Sequence, residues 1–389
     1  MKIERMRVFH IKSRRIHPVI LELTTADGNT GYGEAAVAYG IGATAVAGML
    51  IDMAPRVIGS DAEYPRNLWH EVYDHSFWTK GGGAIVFAAL SAVDQALWDI
   101  KAKALGIPVY ELFGAKFSDT IEVYANGWNI EHNNAEEWAR EAERPLSDGY
   151  KMLKSYPLAT RNAAGSLVHV TRRALSSEEF NLAMDRVRLL REVVGDDIGL
   201  MFDLSGGLSN DQLIRFMDVC CEVNAMWVEE PLDAYNFSGL RDMRGRWNVP
   251  IASGERIYTR SGFKNLLDTG AVDVAMPDVG NCGGIYEAVL IASMAEAYNV
   301  RVSPHNCASS LCTAASIQVC AASANVMPLE IYPYFPDADD FVQVLKNPPE
   351  DSIVDGKLKV TNEPGLDAVI NLPCIEKYLT FDSRQDLLK

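Results

Sequence analysis

Basic residues are scarce in this sequence. Of its 389 residues, 36 are lysine or arginine and 52 are aspartate or glutamate, which gives a formal net charge of −16 at pH 7. Nucleic acids and anionic membrane surfaces attract clusters of basic side chains, and the sequence contains no such cluster. We therefore expect neither nucleic acid nor a membrane as a partner, and the composition favours an acidic cytoplasmic enzyme.

Three further absences exclude other classes of protein. The seven cysteines show no metal-binding spacing, which is typical of small buried residues in a reducing compartment. The N-terminus has no apolar core followed by a small-residue cleavage site, so no secretion signal is expected. An uncharged run over residues 306–329 contains too many polar side chains for a membrane span, and it predicts a tightly packed helix between two strands.

The hydrophobic content of 48% is enough to fill a large core. Over residues 1–36, alternating apolar side chains and the turn at Asp27-Gly28 predict a small antiparallel sheet. Apolar spacings of three and four over residues 84–105 predict a helix that stops at a Gly-Ile-Pro sequence. Together these elements predict an α+β domain over residues 1–118.

Residues 119–335 alternate short apolar strands with amphipathic helices, a pattern typical of a parallel sheet. From the third strand on, polar strand ends recur every 23 to 27 residues. Eight such units predict an α/β fold, a (β/α)₈ TIM barrel with its catalytic residues at the C-terminal strand ends. The second unit is longer, which predicts an insertion over residues 157–177. The candidate strand ends are Asn126, Tyr156, Asp203, Glu229, Glu255, Asp278, His305 and Glu330.

The remaining segment, residues 336–389, is too short to fold alone. The Asp355-Gly356 pair predicts a hairpin over residues 353–360. We expect this segment to pack back on the N-terminal α+β domain.

Carboxylates end three consecutive predicted strands, at Asp203, Glu229 and Glu255. Adjacent strand ends converge on one mouth of a barrel, so these groups would repel one another strongly unless a divalent cation neutralised them. All-oxygen ligation selects a hard ion, which predicts Mg²⁺, with Mn²⁺ as an alternative. Glu230 is the rival ligand on its strand, but successive side chains point to opposite faces, so only one of the two glutamates should face the mouth.

Asp278 and His305 end the next two strands. A histidine that donates one ring hydrogen to a buried carboxylate is held in one tautomer and made more basic, as a general acid or base requires. The alternative is a core histidine bonded to a backbone carbonyl.

Lys154 and Tyr156 lie two residues apart and share one face of the second strand. The cation could hold a substrate carboxylate and stabilise an enolate, and the phenol could act as acid or base if nearby positive charge lowers its pKa from about 10. The alternative is a rim lysine beside an interface tyrosine. Glu330 could hydrogen-bond the substrate or be a structural acid at the rim.

Three further residues are candidate substrate contacts. Asn126 and Trp128 follow the first strand of the barrel, and Trp78 precedes three glycines in a loop that could cover a ligand or only connect two elements.

The motifs GYGEA, FDLS, VEEP, SGE, PDVGNCGG, SPH and PGL together resemble the mandelate racemase subgroup of the enolase superfamily, over nearly the whole chain. The resemblance implies an N-terminal capping domain on a modified barrel and abstraction of the proton α to a carboxylate. It also implies Mg²⁺ bound by Asp203, Glu229 and Glu255, an Asp278–His305 dyad, and a substrate-contacting acid at Glu330.

Two departures from the resemblance disfavour simple racemisation. Tyr156 stands where members with two-sided chemistry usually carry a second lysine, and Ser205 stands where the family commonly has asparagine. We therefore expect a Mg²⁺-dependent dehydratase of a sugar acid, an aldonate or an aldarate. Tyr156 would remove the α-proton, the metal and Lys154 would stabilise the enediolate, and His305 would protonate the departing 3-hydroxyl to give a 2-keto-3-deoxy acid.

Two other functions remain open from the sequence. A racemase or epimerase of a 2-hydroxy acid would use Tyr156 and His305 on opposite faces of the α-carbon. A catalytically silent binding protein would retain the barrel without turnover. For either enzyme, dehydratase or racemase, the expected partner is a small-molecule carboxylate substrate. We also expect a homo-oligomer.

Overall fold

The protein is described from a computed structural model that covers residues 1–13, 16–114, 116–129, 131–162, 167–169, 174–337 and 341–383. It begins with three antiparallel strands paired in sequence order, β1 Ile3–Ile11, β2 Val19–Thr25 and β3 Thr30–Ala35. Three helices follow, α1 Ala43–Val57, α2 Pro65–His75 and α3 Gly83–Leu105, and then a 3-10 turn at Val109–Phe113. The antiparallel sheet and the long helix are those that the sequence predicts.

Helix α3 packs very closely on β3, and the GYGEA motif makes this possible. A Cβ atom on Gly31 would lie 2.2 Å from the Ala96 carbonyl oxygen, and one on Gly33 would lie 2.1 Å from the Ala92 carbonyl oxygen. Only glycine therefore fits at either position. By length and composition α3 could cross a membrane, but 78% of its most apolar stretch is buried inside the protein.

The rest of the chain alternates strands with helices, as the sequence predicts. The strands are β4 Thr120–Ala125, β5 Met152–Ser155, β6 Thr160–Arg161, β7 Leu167–Val168, β8 Gly199–Asp203, β9 Trp227–Glu229, β10 Ile251–Ser253, β11 Val274–Ala275, β12 Arg301–Val302 and β13 Leu329–Ile331. The helices are α4 Ala135–Arg140, α5 Glu143–Ser147, α6 Ser177–Val194, α7 Asn210–Glu222, α8 Phe237–Met243, α9 Thr259–Leu267, α10 Ile285–Ala297 and α11 Ser310–Ala321.

Eight of these strands form one parallel sheet in the order β12-β11-β10-β9-β8-β5-β4-β13. Backbone hydrogen bonds from Val302 N to Asn325 O and from Met327 N to Val302 O join its two ends, which closes the barrel. The predicted α/β barrel is thus confirmed. Among the described residues, the two-residue strands β6 and β7 pair with each other, and they belong to the segment where the insertion was expected. The barrel is filled by Tyr124, Met201, Trp227, Ala252, Val274, Met276 and Met327.

The C-terminal segment contacts both parts of the molecule. It contains β14 Lys357–Lys359, α12 Leu372–Ile375 and β15 Leu379–Asp382, with 3-10 turns at Phe335–Asp337, Pro349–Ser352 and Glu376–Tyr378. The expected hairpin turns at Asp355 and Gly356, both with positive φ, but its second strand β14 pairs with β4 of the barrel rather than with the N-terminal sheet. Strand β15 pairs with β1, where Arg7 forms an ion pair with Asp382 at 2.8 Å.

Candidate active site

The structure brings most of the predicted site residues to one end of the barrel. Asp203 and Glu229 are the last residues of β8 and β9, and Tyr156 directly follows β5. Asp278 and His305 lie three residues beyond two-residue strands, where a direct backbone bridge pairs them. Glu330 differs from the expectation of a strand end, since it is the middle residue of β13.

The three acidic residues predicted at strand ends form a compact cluster, although Glu255 lies two residues beyond the end of β10. Ligand oxygens of Asp203, Glu229 and Glu255 all lie within 4.8 Å of one another. Burial raises the pKa of Glu229 well above its usual value, and the neighbouring Asp203 charge raises it further. Burial likewise raises the pKa of Glu255 to about 7. Carboxylates that disfavour each other's charge in this way form a donor set that fits a hard divalent cation.

Glu230 is held away from this cluster. Its carboxylate accepts hydrogen bonds from Ser253 Oγ at 2.6 Å and from Arg256 Nε at 3.1 Å. Its backbone has a positive φ of 44°, which turns the chain just after β9. Glu229 and Glu230 therefore serve different partners, with Glu229 alone joining the acidic cluster.

Lys154 is completely buried beneath the cluster. Its Nζ lies 2.8 and 2.9 Å from the two carboxylate oxygens of Glu229 and 2.7 Å from Glu330 Oε1. An ammonium group has three hydrogens, and these three oxygens can accept all of them. Lys154 thus fixes two carboxylates in this structure, while its direct contact with substrate remains a prediction.

Glu330 is held as a carboxylate at the centre of the site. Burial alone would raise its pKa, but the positive charges of Lys154 and His305 outweigh burial and lower the pKa to about 2. Its Oε2 atom accepts a hydrogen bond from Asn306 N at 3.0 Å. Both oxygens are therefore engaged by protein groups.

The predicted dyad is present in the geometry. His305 Nδ1 lies 2.7 Å from Asp278 Oδ2, and Gly280 N donates to Asp278 Oδ1 at 2.7 Å. The other ring nitrogen, Nε2, lies 3.3 Å from Glu255 Oε2, so it faces the acidic cluster. Burial acts to lower the pKa of His305, but the Glu255 and Glu330 charges outweigh it and raise the pKa to about 10.

Tyr156 belongs to a hydrogen-bonded group that the sequence did not reveal. Its hydroxyl lies 2.7 Å from Asn126 Nδ2 and 2.7 Å from the hydroxyl of Tyr332. Tyr332 lies two residues beyond Glu330 and so on the same face of its strand, a period-two signal that could have indicated it. His169, within the predicted insertion, packs edge-on against Tyr156 with ring centroids 4.9 Å apart, and no sequence signal marked it.

The structure does not bring the two candidate tryptophans into this group. Trp128 is buried beside Trp138, with ring centroids 6.2 Å apart. Trp78 is 83% exposed and contacts Phe77 edge-on in the turn between α2 and α3. Their contact with substrate stays a prediction.

Glu34 of the GYGEA motif connects the N-terminal sheet to the loop that follows His305. This fully buried carboxylate accepts hydrogen bonds from Ser309 N at 3.1 Å, Ser309 Oγ at 2.6 Å and Cys312 N at 3.1 Å. Cys312 N belongs to the first turn of α11, where an anion stabilises the helix N-terminus. The cap therefore fixes one end of the loop that carries His305.

Glu34 should also make stability depend on pH. Burial raises its pKa from 4.5 to about 7 in the folded protein, so the folded state binds this proton more tightly than the unfolded chain. The contribution is complete below pH 4.5 and is lost as the pH rises to about 7. The advantage of wild type over Glu34→Gln in the free energy of unfolding should therefore shrink between pH 5 and 8, by up to about 3 kcal/mol.

Urea unfolding of the wild type and of Glu34→Gln at several pH values measures how the difference in the free energy of unfolding changes with pH. Ser309→Ala is the matched control, because it removes one donor and leaves the titrating carboxyl in place. It should keep the sign of the wild-type trend and extend it to higher pH, because the Ser309 hydroxyl lowers the pKa of Glu34. A constant difference between wild type and Glu34→Gln from pH 5 to 8 would exclude the buried proton.

Comparison with known proteins agrees with this geometry. Residues 8–114 match the mandelate racemase / muconate lactonizing enzyme N-terminal domain, and residues 137–372 match the enolase C-terminal domain-like family. A crystallised protein from Mesorhizobium loti, described provisionally as a dehydratase, is 48% identical with a TM-score of 0.95, covering 98% of this chain and 100% of its own.

Two curated relatives have named activities. A D-galactonate dehydratase from Xanthomonas campestris pv. campestris (strain B100) is 30% identical over 95% of this chain and 92% of its own length. A D-gluconate dehydratase from Thermoproteus tenax is 30% identical over 93% of this chain and 70% of its own length.

A parallel barrel with a small α+β cap and an acidic trio at its mouth defines an enzyme of the enolase type. The chain belongs to the mandelate racemase / muconate lactonizing enzyme family of the enolase superfamily. The resemblance that the sequence motifs carry is thereby confirmed.

Proposed function

We propose that this enzyme is a Mg²⁺-dependent dehydratase of a sugar acid, an aldonate or an aldarate. The observation that carries the proposal is the placement of two proton-transfer groups on either side of the acidic trio. Tyr156 follows the second barrel strand and His305 the seventh, while Asp203 and Glu229 end the third and fourth strands and Glu255 follows the fifth. The named activities of the two curated relatives support the reaction class.

The chain's own residues divide the reaction between them. A cation bound by Asp203, Glu229 and Glu255, Mg²⁺ or Mn²⁺, would supply positive charge opposite the substrate carboxylate. Tyr156, as the phenolate, accepts the α-proton, and protonated His305, oriented by Asp278, gives its proton to the departing 3-hydroxyl. One water leaves, and the enol product tautomerises to a 2-keto-3-deoxy acid.

A tyrosine must lose its own proton before it can act as a base. Burial raises the pKa of Tyr156 well above 10, and Lys154 is the charge that opposes this shift. Positive charge from Lys154 and from the cation site would therefore favour the ionised phenol. The same charges favour the enediolate, which barely exists in the ground state.

Several features of the assembly belong to the proposal as well. We divide the chain into a capping domain over residues 1–118, a barrel domain over 119–335 and a returning segment over 336–389. Asn126, Trp128, Trp78 and Glu330 are proposed substrate contacts. We also propose that the enzyme is cytoplasmic and forms a homo-oligomer.

A library of aldonates and aldarates incubated with the purified enzyme and Mg²⁺ tests the proposal. We expect at least one acid to yield a 2-keto-3-deoxy product, detected as its semicarbazone by absorbance and by loss of one water in mass spectrometry. Recovered substrate that contains solvent deuterium, without any keto product, would instead establish an epimerase. Metal binding without turnover or exchange across the library would establish a silent binding protein.

A further inference from the structure

Tyr332 has the contacts of a second functional phenol beside Tyr156. The two hydroxyl oxygens are 2.7 Å apart, and Asn126 Nδ2 lies 2.9 Å from the Tyr332 hydroxyl. Burial raises the pKa of Tyr332, and Cys307, the second residue after His305, raises it further. Tyr332 therefore lies between the groups that follow the second and the seventh barrel strands.

The orientation of the Asn126 amide determines which neighbouring oxygens can accept its hydrogens. Gly127 N donates to Asn126 Oδ1 at 2.7 Å, which directs the NH₂ group toward the cluster. Its two hydrogens face three oxygens, because Glu330 Oε1 lies at 2.6 Å in addition to the two phenols. Asn126 therefore cannot fully satisfy both phenols and Glu330, and the phenols must also bond to each other.

The ring of Tyr332 is held in a fixed position. It stacks on Phe335 with ring centroids 4.4 Å apart. A Cβ atom on Gly127 would lie 2.7 Å from the Tyr332 ring, and Gly127 has a positive φ of 67°, so glycine is required there for both reasons. The hydroxyl of Tyr332 is therefore presented to Tyr156 by a packed ring rather than by a mobile side chain.

We propose that Tyr332 is a positioning residue that orients the Tyr156 phenol and donates a hydrogen bond to its oxygen once that oxygen has lost its proton. The inference rests on the proposed role of Tyr156 as the base. The neutral pair needs only one hydrogen between its two oxygens. The ionised oxygen of Tyr156 would accept from Tyr332 and from Asn126 together, and hydrogen bonds to a charged acceptor are stronger than those to a neutral one.

Tyr332→Phe tests this role because it removes only the hydroxyl and keeps the ring on Phe335. We expect kcat and the rate of α-proton exchange with solvent deuterium to fall together by roughly ten- to a hundred-fold, as for loss of one charge-assisted hydrogen bond. KM, the Kd for Mg²⁺ and the unfolding midpoint should stay close to wild type. Tyr334→Phe is the matched control, because the Tyr334 hydroxyl donates to Asp148 at 2.7 Å outside the cluster, and it should exchange and turn over normally.

Each outcome separates the inference from the proposed function. Normal exchange and kcat in Tyr332→Phe, with an active wild type, would overturn the role of Tyr332 alone. A variant that also loses Mg²⁺ affinity or its unfolding midpoint would show a structural role and overturn it too. A wild type that neither exchanges nor dehydrates any sugar acid would overturn both the function and the inference.

Discussion

Glu229→Gln should lose Mg²⁺ affinity by at least roughly 100-fold and should show no measurable dehydration. Glu229 has two roles in the structure, as a member of the acidic trio and as the bidentate acceptor of the buried Lys154 ammonium. The amide carries no charge for a divalent cation and turns an NH₂ group toward Lys154 or the metal position. Isothermal titration with Mg²⁺ and the keto-acid assay measure the two losses, and Asp203→Asn and Glu255→Gln should show them as well.

Glu230→Gln is the control for this series because it makes the same change at the next residue of the chain. Its carboxylate accepts from Ser253 and Arg256 rather than joining the trio, so Mg²⁺ affinity should be largely retained. A larger loss of Mg²⁺ affinity in Glu230→Gln than in Glu229→Gln would show that Glu230, and not Glu229, is the metal ligand. Full activity in exhaustive chelator would exclude the metal altogether.

The acidic trio could be predicted from spacing alone for a geometric reason. In a closed parallel barrel every strand ends at the same mouth, so one polar residue per strand-helix unit is enough to place the residues together. The dyad of Asp278 and His305 follows from the same rule, although the strands before them are only two residues long. Short strands shift the functional residue into the loop without moving it from the mouth.

The contacts of Lys154 could not be predicted in this way. The sequence suggested a cation that faces the substrate, which stays a prediction. The structure adds that the ammonium group of Lys154 contacts the carboxylates of Glu229 and Glu330. The hydrogen-bond acceptors of the buried Lys154 ammonium belong to strands that lie far from it in the chain. Glu229 is 75 residues away and Glu330 is 176 residues away. Local pattern carries no information about such distances.

The same limit applies to the group around Tyr156 and to the cap. Asn126 reaches Glu330 across 204 residues, and Glu34 reaches Ser309 across 275. The motif GYGEA was recognisable in the sequence, but the need for its glycines becomes clear only from the backbone of α3, which lies against them. The need for its glutamate becomes clear only from the hydrogen bond that it accepts at the start of α11. Sequence thus located the chemistry of the mouth, and tertiary contacts determine how it is held.

His305→Asn and Tyr156→Phe should separate the two halves of the proposed reaction. If Tyr156 takes the α-proton and His305 only assists the leaving hydroxyl, His305→Asn should still exchange the α-hydrogen for solvent deuterium while dehydration falls by roughly 10²- to 10⁴-fold. The cation site and Lys154 still favour the enediolate in that variant, so reprotonation by the same base stays open when elimination is blocked. Tyr156→Phe should lose both exchange and dehydration.

Proton NMR in deuterated buffer measures exchange, and the keto-acid assay measures dehydration on the same samples. His305→Asn leaves Asp278 with its hydrogen bond from Gly280 N, so the loop keeps one of its anchors. Exchange that is lost with His305→Asn and kept in Tyr156→Phe would make the dyad the base and recast Tyr156 as a positioning group. The acidic trio and the enediolate chemistry would stand in that case, because both assignments begin with removal of the same α-proton.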